Sequence, residues 1–192
     1  MRLFLAGASG VIGIRLVPLL VKAGHVVAGM PRSPEKAGLL RALGATPVVC
    51  DVYDATKLEQ AVIDFAPDLV MHQLTDLPDD QALIASSSER NARIRREGTR
   101  NLLGAARAAS VERFFAQSVA WKIAGDGGEA TQELERTVLA SRGVVLRYGR
   151  LYGEGTYYPN SQPEPPRVHV DVAARRTIEV LEAPSGIITI AD

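Results

Sequence analysis

Short apolar segments alternate along this chain with longer segments in which apolar residues recur at helical spacing. The short segments predict strands, at residues 2–6, 25–30, 45–50, 68–72, 112–117, 144–147 and 186–190. The longer segments predict helices, at residues 11–22, 34–43, 56–65, 89–109, 131–140 and 171–182. Continuous apolar strands between helices are typical of a parallel sheet that helices cover on both faces. With right-handed crossovers, the pattern predicts a doubly wound α/β sheet.

A length of 192 residues predicts one domain with a sizeable buried core. No internal repeat is visible, and residues 153–167 form the linker-like stretch, rich in proline, glycine, tyrosine and polar residues. Residues 126–129 predict a second, shorter polar loop. We therefore expect a single domain over residues 1–192, interrupted by one long loop.

Composition and charge exclude several classes of protein. The 22 basic and 22 acidic side chains give a formal charge of zero, which excludes a protein that holds nucleic acid by bulk positive charge. One cysteine excludes a disulfide framework, and three histidines without ligand spacing predict no metal site. The sequence has no run of 18 apolar residues and no signal-like cleavage region. We therefore expect no membrane span and a cytoplasmic protein.

The segment from Gly7 to Gly13 reads G-A-S-G-V-I-G and links the first predicted strand to the first predicted helix. In a phosphate-binding loop, each of these glycines has a distinct steric role. Gly7 allows a tight turn, Gly10 lets the backbone approach a pyrophosphate, and Gly13 lets the helix pack closely on the sheet. A tight turn without a ligand is the alternative, and the strand–turn–helix context favours the phosphate loop.

The start of this helix supplies the groups that would hold the phosphates. Backbone N–H groups near Val11 and Ile12 face an anion at a helix N-terminus. The hydroxyl of Ser9 is placed to donate one further hydrogen bond. The loop therefore predicts a dinucleotide over residues 7–13.

The G-x-x-G-x-x-G spacing resembles that of the short-chain dehydrogenase/reductase superfamily, in its extended or atypical branch of epimerase/dehydratase-like proteins. Further segments that carry the resemblance lie at residues 50–52, 70–75, 97–103, 146–153 and 167–171. The resemblance covers nearly the whole chain. It implies a Rossmann fold over residues 1–192, with the short loop 153–167 in place of a substrate subdomain. Relatives are often dimers, so it also implies a possible homodimer.

The resemblance further assigns cofactor positions at the ends of the strands. The third strand would bring Asp51 and Val52 to the adenine. The fourth and sixth strands would contribute the remaining cofactor residues, which are Gln73, Leu74, Thr75, Tyr148 and Leu151. The nicotinamide is expected near Leu74, Thr75, Ser118 and Tyr148.

The choice of dinucleotide depends on the residues after the second strand. An NAD-binding protein usually offers a carboxylate there to the ribose 2′-hydroxyl. This chain has no acid at the strand end and places Arg32 just beyond it, followed by Ser33 and Lys36. A guanidinium pairs well with a 2′-phosphate. We therefore expect NADP, with NAD as the alternative if these charges are only a solvated loop.

The catalytic residues are only partly recognisable. In the superfamily a Tyr, assisted by a nearby Lys, transfers a proton, and a Ser positions the substrate oxygen. Ser118, at the end of the fifth predicted strand, matches that Ser, although a capping or loop serine is nearly as compatible. The Tyr-x-x-x-Lys pair is absent, because residues 129–141 contain neither Tyr nor Lys. A literal match at residues 53–57 follows the third strand and is interpreted as a coincidence.

Several other residues near the predicted site are open to two interpretations. Five arginines lie on the long predicted helix, namely Arg90, Arg93, Arg95, Arg96 and Arg100. Arg95 stands where relatives often carry an Asn, but a solvated helix face is the favoured interpretation for the whole run, with a contact to an anion as the alternative. His72 ends a buried strand and is expected to be structural. Asp171 is expected to cap the following helix.

The sequence therefore predicts an NAD(P)-dependent oxidoreductase or epimerase/dehydratase-like enzyme. Its substrate would be a small molecule, either a carbonyl or hydroxyl compound or a nucleotide sugar. The alternative is a non-catalytic NADP-binding sensor or regulatory partner protein, because the phosphate loop fits both and the Tyr-x-x-x-Lys pair is missing.

Overall fold

A seven-stranded parallel sheet forms the centre of the protein in a computed structural model, which describes residues 1–78 and 80–192. Its spatial order is β3-β2-β1-β4-β5-β6-β9. The strands of this sheet are β1 (Arg2–Ala6), β2 (Val26–Met30), β3 (Thr46–Pro47), β4 (Leu69–His72), β5 (Arg113–Val119), β6 (Val144–Tyr148) and β9 (Gly186–Ile190). A separate two-stranded parallel sheet joins β7 (Arg150–Tyr152) to β8 (Arg167–His169).

Helices cover both faces of the sheet. They are α1 (Gly13–Lys22), α2 (Ala37–Ala42), α3 (Ala55–Phe65), α4 (Ser88–Arg93), α5 (Thr99–Ala108), α6 (Gly125–Ala140) and α7 (Val170–Glu179). Short 3₁₀ turns occupy Pro34–Lys36, Gln81–Leu83 and Ala85–Ser87, and one π-helical turn, Ile94–Gly98, joins α4 to α5. The predicted doubly wound α/β fold is confirmed.

Two apolar cores lie on opposite faces of the sheet because side chains alternate along each strand. On β1, Leu3 and Leu5 belong to the core under α1 and α7, whereas Phe4 and Ala6 belong to the core under α3 and α5. All four side chains are fully buried. This two-sided burial explains why the central strands are continuously apolar in sequence.

The topology places a crevice between β1 and β4. The chain runs from β1 outward through β2 to β3, then returns to the other side of β1 and continues through β4, β5 and β6. Ligands of doubly wound sheets bind outside the carboxyl ends of the strands at such a reversal. Because all neighbouring pairs are parallel, the residues that follow β1, β2, β4 and β5 meet at this edge.

Several predicted elements differ from the structure. The polar loop predicted at 126–129 is wrong, because α6 already begins at Gly125. The glycines of its first turn hide the helix in sequence, and buried Ala130, Leu134 and Val138 hold it on the sheet. The strand predicted at 45–50 is reduced to Thr46–Pro47. The Val48 and Cys50 N–H groups still donate to the Gly29 and Pro31 carbonyls, but Pro31 has no N–H with which to continue the ladder. Most other bounds shift by one to three residues, and the predicted 186–190 strand is confirmed in full.

Candidate functional site

A cleft of about 190 Å³ opens at the carboxyl ends of β1, β2 and β4. It brings together most of the residues predicted to hold the dinucleotide, which are Gly7, Ser9, Gly10, Arg32, Asp51, Val52, Gln73, Leu74 and Thr75. Four further lining residues were not predicted, namely Met30, Cys50, Tyr53 and Ile94. The apolar strand ends were the signal for Met30 and Cys50, whereas the fold brings Ile94 to the cleft from a distant helix.

The loop after β1 requires glycine at two positions for steric reasons. Gly7 has φ +89°, and a Cβ there would lie 2.6 Å from the Gln73 carbonyl oxygen. A Cβ on Gly13 would lie 2.3 Å from the Gly7 carbonyl oxygen. The Gly10 N–H donates to that same carbonyl at 3.0 Å, which closes the turn. The loop can therefore lie close to β4 and to α1 only with these glycines.

The start of α1 has the properties of an anion site. The Ile14 N–H donates to the Gly10 carbonyl at 3.0 Å. The preceding N–H groups, at Val11, Ile12 and Gly13, occupy the positions that an α-helix leaves without an internal partner. No side chain among the described residues caps this terminus, and its first turn carries no acid. A phosphate would therefore meet backbone donors and the positive end of the helix dipole.

The second-strand edge carries Arg32 at the rim of the cleft. Its side chain is 69% exposed, and its Nη1 lies 4.0 Å from an Asp76 carboxylate oxygen. The Ser33 hydroxyl donates to Glu35 at 2.5 Å, so the predicted help from Ser33 would require it to leave that acceptor. Lys36 ends an exposed 3₁₀ turn. Of the three polar residues predicted here, Arg32 is therefore the one whose charged group lines the cleft.

The third-strand end carries Asp51, Val52 and Tyr53. Asp51 is exposed, and its Oδ1 accepts the Tyr53 N–H at 3.0 Å. The Arg93 guanidinium stacks 3.9 Å from the centre of the Tyr53 ring. Lys57 contacts Asp54 at 3.0 Å. The Tyr53-x-x-x-Lys57 match therefore places its tyrosine in the cleft wall and its lysine in an exposed ion pair.

Gln73 connects the fourth strand to the sixth. Its Nε2 donates to the Tyr148 hydroxyl at 3.2 Å, and its Oε1 is buried without a hydrogen-bond partner among the described residues. The Tyr148 hydroxyl also shares a hydrogen bond of 2.7 Å with Thr177. Burial raises the pKa of Tyr148 to about 12. Tyr148 thus lies behind Gln73 and is not a ready proton donor, while Leu151 packs against the core from β7.

Ser118 lies buried at the end of β5, outside the lining of the cleft. Its hydroxyl donates to Glu135 on α6 at 2.6 Å. Arg147 on β6 donates to both oxygens of the same carboxylate, at 2.8 and 2.5 Å. Burial acts to raise the pKa of Glu135, but the hydrogen bonds from Arg147 and Ser118 outweigh it and lower that pKa. The sequence reasoning missed Glu135, because it lies in a helix with no recognised motif.

The five arginines of the long helix do not share one environment. Four of them line an open, charged groove of about 600 Å³ together with acidic residues: Arg90, Arg93, Arg96 and Arg100, with Glu89, Glu97 and Asp126. Arg95 is instead 4% exposed, because the π-helical turn packs it against α6. The predicted solvated face is therefore wrong for Arg95, since the extra residue of the π-turn rotates it inward.

The structure confirms the predicted position of His72 but not the predicted cap of α7. His72 is fully buried, with Nδ1 accepting the Leu74 N–H at 3.1 Å and Nε2 lying 3.1 Å from the Thr99 hydroxyl. Its predicted structural position is confirmed. The prediction that Asp171 caps α7 is wrong, because His169 is the capping residue and its Nδ1 accepts the Asp171 N–H at 3.2 Å. The Asp171 carboxylate instead pairs with Arg15 at 2.7 Å.

Residues 1–78 and 80–192 contain neither a side-chain cluster that could hold a metal ion nor a helix that could cross a membrane. No group of three or more His, Cys, Asp or Glu side chains there is arranged to hold a metal ion. No helix of this part of the chain is long and apolar enough to cross a membrane.

The fold and the cleft define the class of protein. A glycine-lined helix start at the β1–β4 crevice fits a dinucleotide, as does the buried Gln73 Oε1, which has no hydrogen-bond partner among residues 1–78 and 80–192. The family model described as "NAD(P)H-binding" matches residues 7–142. The chain therefore belongs to this NAD(P)H-binding family, and the prediction of a nicotinamide cofactor is confirmed.

Similar proteins agree with this assignment. The chain is 37% identical to a 3-diazoavenalumate denitrifying reductase from a Streptomyces species, with 82% of this chain and 59% of the reductase covered. It therefore spans less than two thirds of that relative's length. UDP-glucose 4-epimerases from Thermotoga maritima and, with NAD, from Thermus thermophilus superpose with TM-scores of 0.82 at 18% identity. They cover 100% of this chain and 77% and 78% of theirs, which confirms the epimerase-like fold.

Proposed function

We propose that the protein is an NADPH-dependent reductase of a small molecule. The observation that carries this proposal is the glycine-lined start of α1, where Gly7 and Gly13 admit no side chain. Residues 7–13 would hold the pyrophosphate, and Asp51 and Val52 would contact the adenine side. Gln73, Leu74 and Thr75 would line the path to the nicotinamide, with Tyr148 supporting Gln73 from behind. When bound, NADPH supplies a hydride.

Ser118 would act as a positioning group rather than as a proton donor. Its single proton is already donated to Glu135 at 2.6 Å, so its oxygen can accept but has no second proton to offer. Helix α6 carries neither Tyr nor Lys. This arrangement favours a hydride acceptor that needs no proton from the protein.

The Streptomyces relative points to a suitable acceptor class, because its name describes a reductase that removes nitrogen from a diazo compound. When a hydride replaces dinitrogen at a diazonium carbon, one C–H bond forms and the C–N electron pair leaves with the nitrogen. No oxygen has to be protonated. We propose an acceptor of this electron-poor kind, with carbonyl compounds and nucleotide sugars as the competing classes.

We further propose that Arg32 selects NADPH over NADH by pairing with the 2′-phosphate. Calorimetric titration of both reduced cofactors tests this. Wild type is expected to prefer NADPH about 10- to 100-fold, the value of one or two charge-assisted hydrogen bonds. Arg32→Ala is expected to abolish the preference, whereas Arg41→Ala removes an exposed charge of α2 and should leave it intact. An unchanged preference in Arg32→Ala would refute the assignment.

A non-catalytic NADPH sensor is the second candidate, favoured by the engagement of Ser118 with Glu135 and by the missing Tyr-x-x-x-Lys pair. Loss of NADPH absorbance with aryl diazonium salts, carbonyl compounds and nucleotide sugars separates the two functions. Turnover that falls in Ser118→Ala supports the enzyme. Tight NADPH binding without turnover on any of the three classes supports the sensor.

Two further features stay predictions. We propose that residues 1–192 act as one dinucleotide-binding domain in which the short segment 153–167 stands in place of a substrate subdomain. Within that segment, the Tyr158 hydroxyl accepts a hydrogen bond of 3.0 Å from Gln81, so it is tied to the loop after β4. A homodimer is expected from the family resemblance, and light scattering of the purified protein would test it.

A further inference from the structure

Arg95 is a buried cation without a matching partner. It is 4% exposed, and its Nε and Nη1 atoms are buried with no hydrogen-bond partner among the described residues. A buried guanidinium normally has its N–H groups satisfied and its charge paired, because leaving them bare costs several kcal/mol. The fold retains this arrangement at the proposed active site, so it requires an explanation there.

The surroundings place Arg95 at the carboxyl ends of β4 and β5. The charge of Arg95 acts on His72, which ends β4, and on Glu135, which holds the Ser118 hydroxyl at the end of β5. Its sequence neighbour Ile94 lines the cofactor cleft. The Arg95 backbone therefore lies between Ile94 in the cleft wall and the Thr99 hydroxyl that contacts His72 at the end of β4.

The charges of this cluster do not balance. Two guanidinium groups, Arg95 and Arg147, interact with one carboxylate, Glu135. Glu135 gives both of its oxygens to Arg147, which leaves Arg95 only a longer-range attraction. His72 contributes no charge near neutrality, because burial and the Arg95 charge lower its pKa to about 3. The cluster thus carries one excess positive charge.

The Arg95 backbone is tied to the end of β4 through Thr99, and burial confines the Arg95 side chain. The Thr99 hydroxyl donates to the Arg95 carbonyl at 2.5 Å and lies 3.1 Å from His72 Nε2. Arg95 itself belongs to the π-helical turn, a feature frequent at functional sites. A fixed cation is the form that binds a charged group with little loss of side-chain freedom.

We propose that Arg95 binds a singly charged oxyanion of the substrate, beside Ser118 at the carboxyl ends of β4 and β5. One negative charge balances the cluster, and oxyanion lone pairs satisfy the bare N–H groups. A carboxylate and a phosphodiester share this chemistry. The assignment rests on the proposed function in one respect, namely that the oxyanion belongs to the molecule being reduced.

Small anions test the site without knowledge of the whole substrate. Sodium acetate, sodium dimethyl phosphate and neutral acetamide are titrated at constant ionic strength, with chloride as the balancing salt. Binding is read from the melting temperature and from calorimetry, with and without saturating NADPH. Wild type is expected to bind at least one anion and not acetamide. Preference for acetate indicates a carboxylate substrate, and preference for dimethyl phosphate indicates a phosphodiester.

Variants of Arg95 test whether its side chain is the one that binds the anion. Arg95→Met is expected to weaken anion binding by at least about thirtyfold, as loss of a buried charged partner does. Arg95→Lys keeps the charge and should retain part of the binding. Arg107→Gln removes an exposed charge from α5 and should bind as wild type.

Two results would overturn the inference. One is an equal response of wild-type protein to acetate, dimethyl phosphate and acetamide in melting temperature and calorimetry. This result needs no variant, so it is decisive even if Arg95→Met does not fold. The other is equal anion binding by wild type and Arg95→Met. Failure of the proposed function is separate, because it appears as absent NADPH binding, whereas the anion titration on the cofactor-free protein still tests Arg95.

Discussion

Burial of neutral His72 is predicted to make the folded protein less stable as the pH falls below neutrality. The Leu74 N–H donates to Nδ1, so the ring proton lies on Nε2 and is donated to the Thr99 hydroxyl, which in turn donates to the Arg95 carbonyl. A second ring proton would displace the Leu74 N–H and add a buried charge beside Arg95. Burial and that neighbouring charge together lower the pKa of His72 from 6.5 to about 3.

The sign and size of the effect follow from proton linkage. Between pH 6.5 and pH 3 the unfolded chain binds a proton at this residue and the folded chain does not, so stability falls as the pH falls. A shift of this size, fully titrated, corresponds to about 5 kcal/mol at 1.4 kcal/mol for each pKa unit. Between pH 7.5 and pH 5, the partial titration of the unfolded state contributes about 2 kcal/mol of the loss.

Urea unfolding at several pH values between 7.5 and 5 measures this loss. His72→Asn keeps an acceptor for the Leu74 N–H but does not titrate in this range, so its stability should vary with pH by about 2 kcal/mol less than that of wild type. His25→Asn is the matched comparison: burial and the N-terminal ammonium also lower the pKa of His25, but it is only partly buried, so this variant should reduce the pH dependence less than His72→Asn. Parallel curves for wild type and His72→Asn would refute the reasoning.

Three other predictions test the loop, a helix end and the buried carboxylate. Gly13→Ala is expected to abolish NADPH binding in calorimetry and to lower the melting temperature, because its Cβ would lie 2.3 Å from a carbonyl oxygen; binding at wild-type affinity would contradict this. Ala66→Gly should raise the free energy of unfolding by about 1 kcal/mol, since Ala66 ends α3 at φ 49°, whereas Ala108→Gly, at the last helical residue of α5, should not raise it. Glu135→Gln should cost about 2–3 kcal/mol at pH 7, below the full value of a buried pair because its arginine partner is 38% exposed. The pKa of Glu135 is lowered, so this cost should shrink as the pH falls through it, and a pH-independent cost would contradict the assignment.

The sequence predicted the sheet well because its strands are buried on both faces and its first loop has strict steric demands. Strands such as Leu69–His72 are apolar throughout, and the glycines at positions 7 and 13 are required by contacts under 3 Å. The start of α6 was not predicted, because the glycines of its first turn have low helix propensity. Tertiary packing of α6 on the sheet compensates for that low propensity, and no local sequence pattern reveals it.

The cofactor side of the site was more predictable than the chemical side. Residues 7, 32 and 51 follow strand ends, and parallel strands bring their carboxyl ends to one edge, so sequence order alone placed them together. Glu135 contacts both Ser118 and Arg147 because one face of α6 packs beside β5 and β6. No local sequence pattern shows which face of α6 that is. The π-turn at Arg95 is equally invisible, because one extra residue in a helical turn leaves the apolar spacing nearly unchanged.

The same cluster gives this chain a polar group of side chains beside α6, although α6 carries neither Tyr nor Lys. A nearby cation lowers the pKa of a tyrosine that donates protons. Here the Glu135 carboxylate accepts hydrogen bonds from Arg147 and Ser118, and the Arg95 Nε and Nη1 atoms have no hydrogen-bond partner among the described residues. The Arg95 cation favours an anionic substrate group and opposes protonation of His72. In the proposed reaction, such a site would orient a charged acceptor for hydride transfer and would not deliver a proton. Turnover of a diazonium compound that carries a carboxylate, but not of the corresponding carboxamide, would therefore link Arg95 to the chemistry, and equal turnover of both would separate them.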